Sequence, residues 1–223
     1  MSKRVQRPGV RDGYDRWSES YDRTPNPVVA LDRRHTVGLL RPRRNERILD
    51  AGCGTGAHLG LMLRSGSFPV GLDLSRGMLK VTRAKHPSVP LAQADLNDRL
   101  PVRRRSFDAV LCALVGEHLC NLRLLFREIR DSLARGGRFV FSVFHPEMAA
   151  AGIEANFERD GVEYRLGALR HTVVDYLNLI DAAGFRALTV HEFRGDDVLV
   201  EQVPWASKYI DRPLLLAVEA RNG

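Results

Sequence analysis

Asp50, Gly52, Gly54 and Gly56 stand together in the stretch RILDAGCGTGAH (47–58), directly behind a short apolar run. Glycine loses more conformational freedom on folding than any other residue, so this density needs a backbone reason. A strand ending at Asp50, a glycine turn and a helix opening near Ala57 would present bare amides at a helix N-terminus, where a nucleotide-type ligand sits. Gly52, Gly54 and Ala57 also fit the dinucleotide pattern G-x-G-x-x-G/A, which is weak alone. Asp50 separates the two readings, because a carboxylate just upstream repels a pyrophosphate and attracts a ligand with ammonium and sulfonium charge.

Two further carboxylates occupy related places. Asp73 closes the next apolar run 19 residues after Gly54, where it can accept both hydroxyls of a ribose. Asp95, in QADL, closes the third and is placed for an exocyclic adenine amine. Each alone is an ordinary turn or cap residue. Three at successive strand ends make a nucleoside site.

Such a site needs parallel strands that deliver their carboxyl ends to one edge. Strand candidates at 47–52, 69–74, 89–96, 107–114 and 137–144 alternate with helical segments at 57–66, 75–86 and 121–137, the last stopping at Gly136. Residues 145–170 fit neither period and read as an insertion over the sheet edge. A helix at 172–185 and strands at 186–193 and 212–220 follow, and two helices within 14–40 cover the mouth of the cleft. The expectation is a single α/β domain over 1–223: an N-terminal helical cap (1–44), a cofactor-binding core (45–144), a substrate-side insertion (145–170) and the C-terminal part of the sheet (171–223).

Composition bounds the function. The chain has 223 residues, 44% of them hydrophobic, enough for one sizeable core. The start is basic with no apolar leader, and no run approaches the ~20 apolar residues of a membrane span, so a cytoplasmic protein is expected. Cys53, Cys112 and Cys120 lack disulfide or zinc spacing, and no metal is expected. The net charge of +7 keeps nucleic acid among the partners to weigh, with arginine clusters only at 41–47 and 103–105.

The motifs ILDAGCGTGAH, GLDLSRGML, QADLNDRLP, FDAVLCALVGEHL and LARGGRFVFSVFHP occur in register over about 45–145. In this order they resemble class I S-adenosylmethionine-dependent methyltransferases, particularly the small-molecule group similar to menaquinone and ubiquinone biosynthesis enzymes. YDRWSESYD and HTVVDYLNLIDAAGF are similar too. The resemblance implies a Rossmann-like, doubly wound seven-stranded sheet with helices on both faces, mostly parallel, with order 3-2-1-4-5-7-6 and strand seven antiparallel. It also implies S-adenosyl-L-methionine as cofactor and S-adenosyl-L-homocysteine as product. Asp50, Gly52, Gly54 and Gly56 would hold the methionine portion and Asp73 the ribose. Leu74 and Met78 would meet the adenine face, and Asp95 and Leu96 its edge. Ala113 or Leu114 would lie beside the sulfonium. Tyr14, Trp17 and Tyr21 are read either as a lid over the cofactor or as a helix burying one aromatic face.

Methyl transfer from a sulfonium is an in-line displacement that requires alignment and exclusion of water, and a base only if the nucleophile arrives protonated. His145 is the first candidate, ending strand five beside the insertion. Glu117 and His118, in VGEHL, could face the same cleft. ALVGEHL replaces the D/N-P-P-Y/F motif of the exocyclic-amine nucleic-acid methylases, and neither Cys112 nor Cys120 follows a proline as in the cytosine-carbon enzymes. The expected acceptor is a small biosynthetic molecule methylated on O, N or C. The alternatives are an RNA-modifying enzyme with its arginines in a continuous patch beside the cleft, a non-catalytic partner subunit, and a nicotinamide oxidoreductase.

Overall fold

The computed structural model describes residues 4–223. From the amino end it runs through β1 (Arg4–Gln6), α1 (Val10–Trp17), a 3₁₀ turn (Tyr21–Arg23), α2 (Pro27–Leu40), β2 (Arg47–Ala51), α3 (Ala57–Arg64), β3 (Phe68–Asp73), α4 (Arg76–Lys85), β4 (Leu91–Gln93) and β5 (Phe107–Ala113). It continues through α5 (Leu122–Ser132), β6 (Leu133–Phe144), α6 (Pro146–Ala150), β7 (Asn156–Arg159), β8 (Val162–Arg165), α7 (Val173–Ala182), β9 (Phe185–Arg194), α8 (Asp197–Gln202) and β10 (Pro213–Asn222). Seven strands form one α/β sheet in the order β4-β3-β2-β5-β6-β10-β9. Its pairs are parallel except those of β10, which is antiparallel to both neighbours.

The side-chain period of two divides the core between the sheet's faces. On β2 and β5, Ile48, Ala109, Leu111 and Ala113 pack with Leu40 of α2 and with Leu59 and Met62 of α3. Leu49, Val110 and Cys112 turn the other way, toward Leu125, Phe126 and Ile129 of α5 and Tyr176 and Ile180 of α7. Helices cover both faces, which is why these strands read as unbroken apolar runs. Side-chain caps start the helices: Asn26 accepts from the N–H groups of Val28 and Val29, Ser75 from Met78, and Thr172 and Asp175 form a reciprocal capping box.

The strand count exceeds the expected seven. Three more strands form a second sheet, β1-β8-β7, within the basic start and the 145–170 insertion. Asp160 and Gly161, with φ of 53° and 71°, make the two-residue turn between β7 and β8. Asp-Gly is the pair such turns favour, so the segment expected to be an irregular insertion carries a local hairpin signal. β1 then adds parallel to β8. The helix expected to reach Gly136 ends at Ser132, because Leu133 turns extended and pairs with Phe107 at the start of β6. The third strand is also shorter than expected. No helix among the described residues is long and apolar enough to cross a membrane.

Candidate cofactor and acceptor site

The carboxyl ends of β2, β3 and β5 open into a cavity roofed by α1 and the 3₁₀ turn. Gly52 and Gly54 form its floor, Asp73, Leu74 and Met78 one wall, and Asp95 and Leu96 the next. Ala113, Leu114, Tyr14 and Tyr21 close it. A Cβ on Gly54 would meet nothing within 4 Å, so the backbone there is bare toward the cavity, and its φ of 51° suits glycine. Leu114 also adopts a positive φ, 53°, in a region costly for a side chain. Such strain concentrates where a site requires it.

Asp73 is fixed before any ligand arrives: Oδ2 accepts from the Gly54 N–H and Oδ1 from the Ser75 N–H, both at 2.8 Å. Burial raises its carboxyl above the ordinary range. Asp50 differs. It is 1% exposed, and neither oxygen has a hydrogen-bond partner. Burial pushes its carboxyl up to about 7, with Asp32 and Asp73 adding to the rise and His58 opposing it. A buried acceptor without a donor is costly, and a cationic group would relieve it.

The roof of the cavity is tied down at three points. Tyr14 Oη lies 2.9 Å from His118 Nε2. Asp15 accepts from the Gly77 N–H at 2.8 Å and from Ser75 Oγ, binding α1 to the start of α4. Asp22 accepts from Thr55 Oγ1 in the glycine turn and pairs with Arg33 and Lys85. Trp17 is 2% exposed and stacks on Phe157 at 5.0 Å. The two readings of these aromatics therefore hold for different residues: Trp17 packs, while Tyr14 and Tyr21 roof the cavity.

A second cavity of 380 Å³ adjoins the first. Phe157, Trp205 and Tyr209 line it, with Met148, Glu117 and Lys208. Tyr14, Tyr21, Val29 and Leu114 line both cavities and so mark the junction.

Comparison with known proteins fits this arrangement. Residues 49–141 match the model of the family described as methyltransferase domain. A crystal structure of an S-adenosylmethionine-dependent methyltransferase from Mesorhizobium loti superposes with a TM-score of 0.73 at 28% identity, covering 88% of this chain and all of that one. Residues 49–141 are thus similar to a methyltransferase domain, and the fold is that of an S-adenosylmethionine-dependent methyltransferase. A demethylmenaquinone methyltransferase of Streptomyces griseus is 30% identical over 60% of this chain and 60% of its own length. An uncharacterized protein of Methanocaldococcus jannaschii is 31% identical over 60% of this chain. The chain spans 51% and 60% of the lengths of these two curated relatives.

Within this fold, the residues fit S-adenosylmethionine on the structure's own terms: an orphaned buried carboxylate, bare amides at Gly54 and a fixed carboxylate at Asp73. Three expected residues line neither cavity: Asp50, buried near the end of β2, Gly56 and His145. Gly56 does not line the cavity; its Cβ would come within 2.8 Å of Thr82 Cγ2 and 2.9 Å of His86, so it serves the packing of α3 on α4. His145 is 1% exposed and lines neither cavity. Its Nδ1 accepts from the Glu147 N–H at 3.3 Å as the N-cap of α6, and Nε2 faces Glu192 at 3.4 Å. The cap turns the ring away from the cleft. His118 lines the cofactor cavity and Glu117 the second one.

Asp32 and Arg33 of α2 and His58 of α3 also line the cofactor cavity. The only signal for Asp32 and Arg33 was the polar run Asp32–His35 in the middle of a largely apolar helix. The arginines at 41–47 and 103–105 precede β2 and β5, at the amino edge of the sheet. They stand before the strands rather than at the carboxyl ends where the cleft opens.

Proposed function

We propose that the protein transfers the methyl group of S-adenosylmethionine to O, N or C of a small-molecule acceptor by in-line displacement. The observation that carries this is the pair of adjoining cavities meeting at Tyr14, Tyr21, Val29 and Leu114. One fits a nucleoside with a cationic tail; the other is aromatic and sized for a small organic molecule. The demethylmenaquinone methyltransferases among the relatives make a biosynthetic acceptor the natural reading. In it, Asp50 and the glycine turn take the methionine portion, with Arg33 near its carboxylate. Asp73 takes the ribose, Leu74 and Met78 the adenine face, Asp95 and Leu96 the adenine edge, and Ala113 and Leu114 the methyl-bearing end.

The chain's own work is to align and exclude water, which is where most of the acceleration of such a transfer arises. Residues 4–44 act as the cap and 145–170 as the acceptor-side wall. Where the acceptor carries a proton, Glu117 is the base with access to it, in place of His145. Isothermal titration with S-adenosylmethionine and S-adenosylhomocysteine, with Asp73→Ala as control, tests the reading. Micromolar binding lost in the variant supports it; no binding to folded protein defeats it.

A further inference from the structure

Glu117 follows β5 by one turn, is 7% exposed, and lines the acceptor cavity. Its Oε2 is fully enclosed and has no hydrogen-bond partner. Leaving a buried carboxylate oxygen unsatisfied is expensive, and the expense persists until a ligand supplies a donor or a positive charge.

The surroundings decide between the two. Lys208 is the only cation among the lining residues, and it sits over the rings of Trp205 and Tyr209, at 5.3 and 5.0 Å from their centroids. Glu154, another lining carboxylate, is already engaged by Arg7. Beside Glu117 the wall is aromatic: Tyr14, Trp17 and Tyr21 form a cluster with centroids 4.8 to 6.3 Å apart. Ring faces attract cations, most strongly when desolvated. A neutral hydroxyl would satisfy Oε2 but would make no use of these faces.

Building on the methyl-transfer reading, we infer that the acceptor is an amine, bound as its ammonium against Glu117 and the rings of Tyr14 and Tyr21, with an apolar body extending toward Phe157 and Met148. An ammonium has no lone pair, so one N–H proton must move to Glu117 Oε2 first. The freed pair then forms the C–N bond while the C–S bond breaks with its electrons on sulfur. The nitrogen, neutral after the proton transfer, takes up the positive charge that the sulfonium loses, and the carboxyl is left protonated. Burial raises the Glu117 carboxyl above its ordinary range, which narrows the gap to an ammonium.

The test is calorimetric titration at neutral pH with 2-phenylethylamine, 2-phenylethanol and 3-phenylpropanoate, with and without saturating S-adenosylhomocysteine. The amine should bind roughly tenfold or more tighter than the alcohol, and the carboxylate weakest of the three. Glu117→Gln should bring the amine to within about twofold of the alcohol without moving the alcohol, its fold checked by thermal melting. Equal or tighter binding of the alcohol or carboxylate, an amine preference that survives Glu117→Gln, or no binding of any probe overturns the inference. S-Adenosylhomocysteine binding without amine preference removes this inference alone. Amine preference without S-adenosylhomocysteine binding keeps the cation site and removes methyl transfer.

Discussion

His58 Nε2 lies 2.6 Å from Asp32 Oδ2, joining the first turn of α3 to α2 along the wall of the cofactor cavity. Asp32 Oδ1 accepts from Thr36 Oγ1 and Ser142 Oγ, each at 2.6 Å. Burial alone would raise Asp32, but the His58 charge and these hydrogen bonds hold it below the usual carboxylate range. His58 is the counterpart: burial lowers it, and Asp32, followed by Asp50, raises it above the ordinary value. Both directions favour the ion pair over the neutral pair, and Asp50 is within reach of its charge.

Removing Asp32 leaves a buried imidazolium without its anion. Asp32→Ala should destabilise the fold by about 3–5 kcal/mol, the usual loss when one member of a buried pair is removed. The raised His58 gives stability that is present below its unfolded pKa and lost as pH rises through its folded value. The lowered Asp32 gives stability that is present above its unfolded pKa and lost as pH falls through its folded value. Urea midpoints across pH should therefore peak for the wild type in mildly acidic solution, and the peak should flatten in the variant. An unchanged profile would show that the pair contributes nothing.

Asp50 predicts a pH effect on the ligand. With its carboxyl at about 7, the unliganded protein is half protonated there near neutrality, and an ammonium selects the ionised form. S-Adenosylhomocysteine affinity should rise as pH increases through about 7 and level off above it, with proton release visible as a buffer-dependent calorimetric heat. Asp50→Asn should bind more weakly, by about tenfold, and with no such slope. A wild-type affinity independent of pH between mildly acidic and mildly alkaline solution would remove Asp50 from the ligand's charged end.

The cofactor cavity was legible because its residues close strands. Once apolar runs alternate with helices, topology sends Asp73, Asp95 and Ala113 to one edge whatever their rotamers, and the side-chain period does the rest. Residues whose direction depends on a cap or on a helix crossing were not legible in the same way. His145 and Glu117 both follow central strands, and only the N-cap geometry of α6 turns His145 inward. His58 and Asp32 meet because α2 crosses beside α3, which no local pattern records. The α5–β6 boundary failed for a third reason: LARGG has helical composition, but Leu133 gains a partner in Phe107.

Tyr14 bonds His118 across the roof of the cavity at 2.9 Å, and burial raises its phenol, keeping it neutral. Tyr14→Phe keeps the ring and loses the bond. The variant should lose about 1 kcal/mol of stability, and S-adenosylhomocysteine should dissociate about fivefold faster in stopped-flow experiments. His118→Ala should give a similar rate, and the double variant should add little, because both remove one interaction. Full additivity would mean that the two residues hold the ligand independently.

Gly54 and Gly56 lie two residues apart with φ of 51° and 79°, so alanine is strained at both, at roughly 1–2 kcal/mol. They differ in what the new methyl would meet. At Gly54 it would enter open space over the cavity; at Gly56 it would press on Thr82 and His86 in a packed seam. Gly54→Ala should therefore fold with only that modest loss and bind S-adenosylhomocysteine weakly, by roughly tenfold or more, because the methyl occupies the ligand's place. Gly56→Ala should do the reverse, adding about 1–3 kcal/mol of overpacking to its strain while the fraction that folds binds almost normally. Thermal melts and titrations on the two variants separate the roles. Equal loss of affinity in both would return Gly56 to the ligand site.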